Sequence, residues 1–239
     1  MKLLLISNST NPGEPYLDWC KNEIKNYCDT HGVKKVLFIP FAGVSFSYDE
    51  YEQKVKNVFN TLGLDLYSIH KEGDPLKAIQ EAEAIAVGGG NTFHLVREMQ
   101  RLGLMKAISE RAHQGVPYMG WSAGSNVACP TLRTTNDMPI VEPKSFNCMG
   151  LIPFQINPHY LDAHPANHGG ETREQRIEEF LVANKDIYVA GLREATLLLL
   201  EDQKLTLKGR NPMRVFKFGT SPVEMNPGDD IGFLLSQLA

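Results

Sequence analysis

The chain has 239 residues, of which 42% are hydrophobic and 22% charged, with a formal charge of -4. That mild acidity, without a run of five basic residues, speaks against nucleic acid as a partner. No stretch approaches the ~18 apolar residues of a membrane span, and the opening run Leu3-Leu4-Leu5-Ile6 stops at Ser7, too soon for a secretory core. Cys20, Cys28, Cys129 and Cys148 contain no C-x-x-C pair and read as reduced thiols of a cytoplasmic protein. Twenty glycines and fourteen prolines lie in short scattered clusters, which points to many turns and no disordered arm.

Short apolar runs alternate with longer amphipathic stretches, the pattern of a parallel sheet covered by helices. Strands are expected over residues 2–7, 36–39, 64–69, 84–87 and 117–121. Helices are expected over 16–30, 48–62 and 75–82, the last with proline in its first turn. Another starts at Asn91 or Thr92, and a further one runs to about His113. Beyond Cys129 the period fails as far as Pro158, where loops and short strands are expected. Thr172-Arg173-Glu174-Gln175 fits a capping box for a helix with Ile177, Phe180 and Leu181 on its apolar face. Four late strands, 187–191, 196–200, 204–207 and 215–218, suggest antiparallel hairpins. The expected fold is therefore α/β, a largely parallel sheet flanked by helices with antiparallel strands near the C-terminus. No repeat or linker divides it, so residues 1–239 are expected to form one domain.

Gly120-Trp121-Ser122-Ala123-Gly124 fits G-x-S-x-G after a short strand. Such a strand-to-helix turn lifts a serine hydroxyl above the sheet and aims the next backbone N–H at a developing oxyanion. About one chain in twelve of this length holds the pattern by chance, so the strand before it carries the weight. Gly88-Gly89-Gly90-Asn91-Thr92 is the second informative turn. Its N–H groups at a helix start could hold a phosphate, as in a non-catalytic small-anion binder, or complete an oxyanion hole for Ser122.

A serine nucleophile needs a base and an acid that orients it. His31, His70 and His113 lie beside turns or helix ends and read as surface groups. His159, His164 and His168 sit in a polar loop with Asp162, and these four could instead ligate zinc, although their spacing matches no established zinc motif. Glu194, after a strand, and Asp137 are the rival acids; sites of open α/β sheets gather at the C-terminal strand ends.

Residues 87–92, 120–126, 134–140, 156–160 and 170–177 together resemble the peptidase E family, serine peptidases related to cyanophycinase. The resemblance implies a class I glutamine amidotransferase-like, flavodoxin-like fold, with serine where the amidotransferases carry cysteine. It implies hydrolysis of dipeptides with an N-terminal aspartate, without cofactor or metal, by a monomer or homodimer. Carried over by position, Ser122 is the nucleophile and His159 the general base. Glu194 is the third member, with Asp137 a neighbour that shares or replaces that role. Gly89 or Gly90 would pair with the Ala123 N–H at the oxyanion. The order Ser, His, Glu differs from the Ser, acid, His order of α/β-hydrolases. The match departs at Ala195, where the family pattern has glycine. A substrate aspartate calls for a cation, and Arg173 and Arg176, three apart at a helix start, are the candidates.

Overall fold

A computed structural model describes residues 1–162 and 169–236. In chain order the first half contains β1 (Leu3–Ile6), α1 (Lys21–Thr30), β2 (Lys35–Ile39), α2 (Tyr48–Thr61), β3 (Asp65–Ser68) and α3 (Pro75–Glu81). There follow β4 (Ala84–Val87), α4 (Thr92–Arg101), α5 (Leu104–His113), β5 (Tyr118–Trp121) and the single turn α6 (Ala123–Asn126). A long irregular segment then leads to β6 (Gln155–Tyr160), α7 (Arg173–Ala183) and β7 (Val189–Arg193). The chain closes with β8 (Thr196–Glu201), β9 (Lys204–Gly209), β10 (Met213–Phe216) and β11 (Val223–Met225).

Seven strands form one sheet in the order β3-β2-β4-β5-β1-β8-β9. Its first five are parallel, and β8 and β9 run antiparallel. The strands read as unbroken apolar runs because both faces are covered. On β1, Leu3 and Leu5 enter one core with α3, α4 and α5, while Leu4 and Ile6 enter the other with α1 and α2. The four-stranded sheet β11-β10-β7-β6 stands beside this layer. Ala190, Leu192, Met213 and Val215 join the same apolar cluster as Leu3 and Leu5, so the two sheets share a core.

The expected α/β fold, mostly parallel with antiparallel strands in its C-terminal part, is the one observed. Asn91 caps α4 by accepting from the His94 N–H at 3.0 Å. Two differences bear on function. Residues 155–160, expected among loops and short strands up to Pro158 and in a polar loop beyond, form one strand, β6, parallel to β7, with a register shift between Pro158 and Tyr160. His31 and His70, expected at the surface, keep only 10% and 15% of their side chains exposed, against Glu201 and Asp49. Among the described residues no helix is long and apolar enough to cross a membrane.

Candidate active site

Ser122 follows β5 directly, with φ 54° and ψ -112°. Small flanking residues are required here. A Cβ on Gly120 would lie 2.3 Å from the Gly124 carbonyl oxygen, and one on Gly124 would lie 2.1 Å from that of Val87. The Ser122 N–H donates to the Ile6 carbonyl at 3.0 Å, which ties the turn to the end of β1.

At the bulge in β6, His159 adopts φ 53° and its ring reaches across to Ser122. Its Nε2 lies 3.0 Å from Ser122 Oγ, and its Nδ1 lies 2.8 Å from Glu194 Oε1. A carboxylate only accepts, so Nδ1 carries the proton, and in the neutral ring Nε2 is left to accept from the serine hydroxyl. The His159 and Glu194 side chains remain 39% and 45% exposed, so the site is open to solvent and substrate. The His159 N–H donates to Ser7 Oγ at 3.0 Å, and that hydroxyl donates to the Leu192 carbonyl at 2.8 Å. The Ala195 N–H donates to Asn8 Oδ1 at 2.8 Å. Ser7 and Asn8 therefore hold both partners of Ser122 in place. No motif marks them, although their position just past the end of β1 is the edge where such sites assemble.

The glycine turn runs alongside. A Cβ on Gly89 would lie 2.9 Å from Ser122 Cβ, and Gly90 has φ 136° with the Ala42 carbonyl packed against it. Among the described residues, the N–H groups of Gly89, Gly90 and Ala123 have no protein acceptor. They are available to a developing oxyanion beside the Ser122 hydroxyl.

Asp137 is placed otherwise than a partner of His159. Its Oδ2 accepts from the Thr92 N–H at 2.7 Å, the Thr92 hydroxyl at 2.6 Å and the Thr135 hydroxyl at 3.0 Å. The negative charge sits where the first turn of α4 leaves N–H groups unpaired, and this fixes it there. The carboxylate on His159 is that of Glu194.

Next to β6 lies a cavity of about 150 Å³ lined by Arg133, Asn136, Asp137, Arg173 and Arg176, among others. Arg173 donates to Asn136 Oδ1 and has no carboxylate partner among the described residues. Burial, with Arg176 close by, pulls its pKa below the ordinary arginine value, and Asp137 partly opposes this. Asn136 in turn donates to the Pro158 carbonyl at 2.6 Å, one residue from His159. Arg133 was not expected here, since it stands in the irregular segment where no periodicity marks it.

Of the residues expected for a zinc site, the two that the structure describes are engaged elsewhere. His159 is engaged with Ser122 and Glu194, Asp162 is held by Arg193 at 2.6 and 2.8 Å, and His164 and His168 lie outside the described residues. Asp49, Glu52 and His70 bring ligand atoms within 4.8 Å of one another. There the Lys71 ammonium already supplies the cation, 2.8 Å from Asp49 and 2.6 Å from Glu52.

A serine on a tight turn at the C-terminal edge of a mostly parallel sheet, with an imidazole on its hydroxyl, defines a serine-type hydrolase. The family model of Peptidase family S51 matches residues 3–208. Peptidase E of Nostoc sp. is 51% identical over 236 residues, covering 99% of this chain and 97% of its own length. Peptidase E of Salmonella typhimurium is 47% identical over 228 residues, covering 95% and 99%. A crystal structure of a peptidase from an acI-B1 Actinobacterium superposes with a TM-score of 0.68 at 18% identity, covering 96% of each chain. One from Listeria monocytogenes gives 0.63 at 24%, covering 88% of this chain and 98% of its own. The chain belongs to Peptidase family S51 and is a serine peptidase.

Proposed function

We infer that the chain is a dipeptidase that removes an N-terminal aspartate from Asp-Xaa dipeptides through Ser122, His159 and Glu194, as a single peptidase domain that needs no metal. The observation that carries this reading is the hydrogen-bonded series from Glu194 Oε1 through His159 to Ser122 Oγ, at 2.8 and 3.0 Å. Ser122 attacks the peptide carbonyl while Nε2 takes its proton, and the Glu194 carboxylate holds the resulting imidazolium in orientation. The N–H of Ala123 and that of Gly89 or Gly90 hold the oxyanion. His159 then protonates the leaving amine, and water attacks the aspartyl ester by the same route to release aspartate and restore the serine.

The aspartyl specificity draws on the cavity beside β6. A half-buried guanidinium without a carboxylate partner suits a substrate carboxylate, which it can grip through two parallel hydrogen bonds. Arg173 is the first candidate, with Arg176 and Arg133 at the same cavity.

Ser122→Ala is expected to lower turnover by about a millionfold in a protein that still folds. Retention of wild-type activity would overturn the nucleophile. Activity is expected to survive a chelator, whereas loss that added zinc restores would favour a metal site. For the pocket, Arg173→Met is expected to erase most of the preference for Asp-Leu over Asn-Leu, with a smaller effect from Arg176→Met. If both variants keep the wild-type preference, the specificity cation lies elsewhere.

A further inference from the structure

We propose that Tyr51 is a positioning residue for the oxyanion hole, fixing the Gly89–Gly90 peptide so that its N–H faces the reacting carbonyl. This rests on the reading of Ser122 as nucleophile. Tyr51 lies on α2, 4% exposed, and its hydroxyl lies 2.9 Å from the Gly89 carbonyl oxygen, 3.2 Å from Trp121 Nε1 and 3.3 Å from the Tyr16 hydroxyl. The chemistry of the partners fixes every proton. An indole N–H only donates and a carbonyl only accepts, so Tyr51 receives from Trp121 and gives its single proton to Gly89. The Tyr16 hydroxyl can then only donate to the remaining lone pair. Burial also raises the Tyr51 pKa above its ordinary value, which keeps the donor protonated throughout the neutral range.

The Gly89 carbonyl and the Gly90 N–H belong to one peptide plane. No described peptide bond is cis, so the two groups point in opposite directions. Turning the carbonyl onto Tyr51 turns the Gly90 N–H away from it. That N–H has no protein acceptor among the described residues, and its peptide starts at Gly89, where a Cβ would lie 2.9 Å from Ser122 Cβ. The neighbouring glycines leave this peptide free to rotate, since neither carries the side chain that would restrict it. Gly88 must also lack a side chain, because a Cβ there would lie 2.5 Å from the Tyr51 hydroxyl. Trp121 precedes Ser122, so one hydroxyl links the serine turn to the glycine turn. It sets the spacing between nucleophile and oxyanion donor.

The test is Tyr51→Phe, which keeps the ring packed at 5.0 Å from Phe38 and 5.1 Å from Phe46 and removes only the hydroxyl. Loss of one oxyanion donor lowers kcat by about 100–1000-fold, and a donor that is merely released is expected to lower it by about 10–100-fold. KM on Asp-Leu is expected to stay within about twofold, as the donor acts where charge develops. The inhibition constant of aspartyl aldehyde, which forms a tetrahedral adduct on the serine, is expected to rise by the same factor as kcat falls, and that of free aspartate to hold. Inhibition constants report on the folded fraction, so partial unfolding does not mimic this split. Tyr16→Phe removes a hydroxyl of the same trio without touching Gly89 and serves as the packing control. Equal effects of the two variants, unchanged kcat in Tyr51→Phe, or parallel weakening of aldehyde and aspartate would each overturn the assignment. Ser122→Ala run alongside separates the cases: if it keeps wild-type turnover, the nucleophile assignment falls, not merely the role of Tyr51.

Discussion

Ser122 and His159 both stand at positive φ, 54° and 53°, where an L-residue is strained by about 1–2 kcal/mol. Surrounding hydrogen bonds hold them there, and the Ser7 hydroxyl does so for His159. Ser7→Ala leaves the buried Leu192 carbonyl and the His159 N–H without that partner, at a cost of about 1–3 kcal/mol. The expected result is a lower midpoint in urea together with a several-fold fall in kcat; a fall in stability with unchanged kcat would free Ser7 from any part in placing the imidazole. Ala195, directly after Glu194, also stands at positive φ, 58°. The glycine that the resemblance implies at this position suits a left-handed backbone, so the alanine found here is strained. Ala195→Gly relieves that strain but gives the unfolded chain more freedom, and the net gain should not exceed about 1 kcal/mol, or about 2–4 °C in Tm. A drop of several degrees would contradict the strain argument. The serine and its glycines were legible in the sequence because a sharp turn demands small residues. Ser7 and Asn8 were not, since their role depends on strands distant in the chain.

At the scale of elements, helices followed their apolar period closely, as α2, α4 and α5 show, because each buries one face against the sheet. β6 was the element least legible. Gln155, Asn157, Pro158 and His159 break the apolar alternation of a buried strand, and side chains from the irregular segment answer them. Asn157 Nδ2 donates to the Thr134 carbonyl at 2.8 Å and to Asn136 at 2.7 Å, while Gln155 pairs with Thr131. This strand departs from local rules where the proposed general base, His159, sits at its bulge. The capping box of α7 was readable in advance. Thr172 Oγ1 accepts from the Gln175 N–H at 3.1 Å, and Gln175 Oε1 accepts from the Thr172 N–H at 2.8 Å. Thr172→Ala is expected to cost about 1 kcal/mol and to loosen Arg173, the first residue of the helix. Steady-state kinetics on Asp-Leu should then show a raised KM with kcat retained; an unchanged KM would mean that the cap and the pocket are independent.

Across the whole molecule, the site draws on the ends of β4 and β5 in one sheet and on β6 and β7 in the other, so its geometry depends on how the sheets meet. On the outer side of β7, next to Glu194, Arg193 forks onto two carboxylates. It reaches Asp162 at 2.6 and 2.8 Å and Glu224 at 2.7 and 2.9 Å, joining the end of β6, β7 and β11. The guanidinium holds the Asp162 carboxyl below the usual carboxylate range. A depressed pKa in the folded state means that this stabilisation is complete above the unfolded value of about 3.9 and is lost as the pH falls through the folded value. Asp162 is 49% exposed, so solvent screening limits the pair to about 1 kcal/mol or less. Arg193→Met returns Asp162 towards its ordinary pKa and weakens that dependence, with Arg214 still 3.8 Å away. Urea midpoints of wild type and variant are therefore expected to differ most near neutrality and to converge as the pH falls below about 4. A gap that stays constant with pH would show that Arg193 acts through packing alone. If the gap closes, high salt at neutral pH should narrow it as well, because the same exposed charges are screened within about 3 Å at 1 M. A loss of kcat in Arg193→Met that follows the midpoint through both changes would tie the alignment of Glu194 on His159 to this junction.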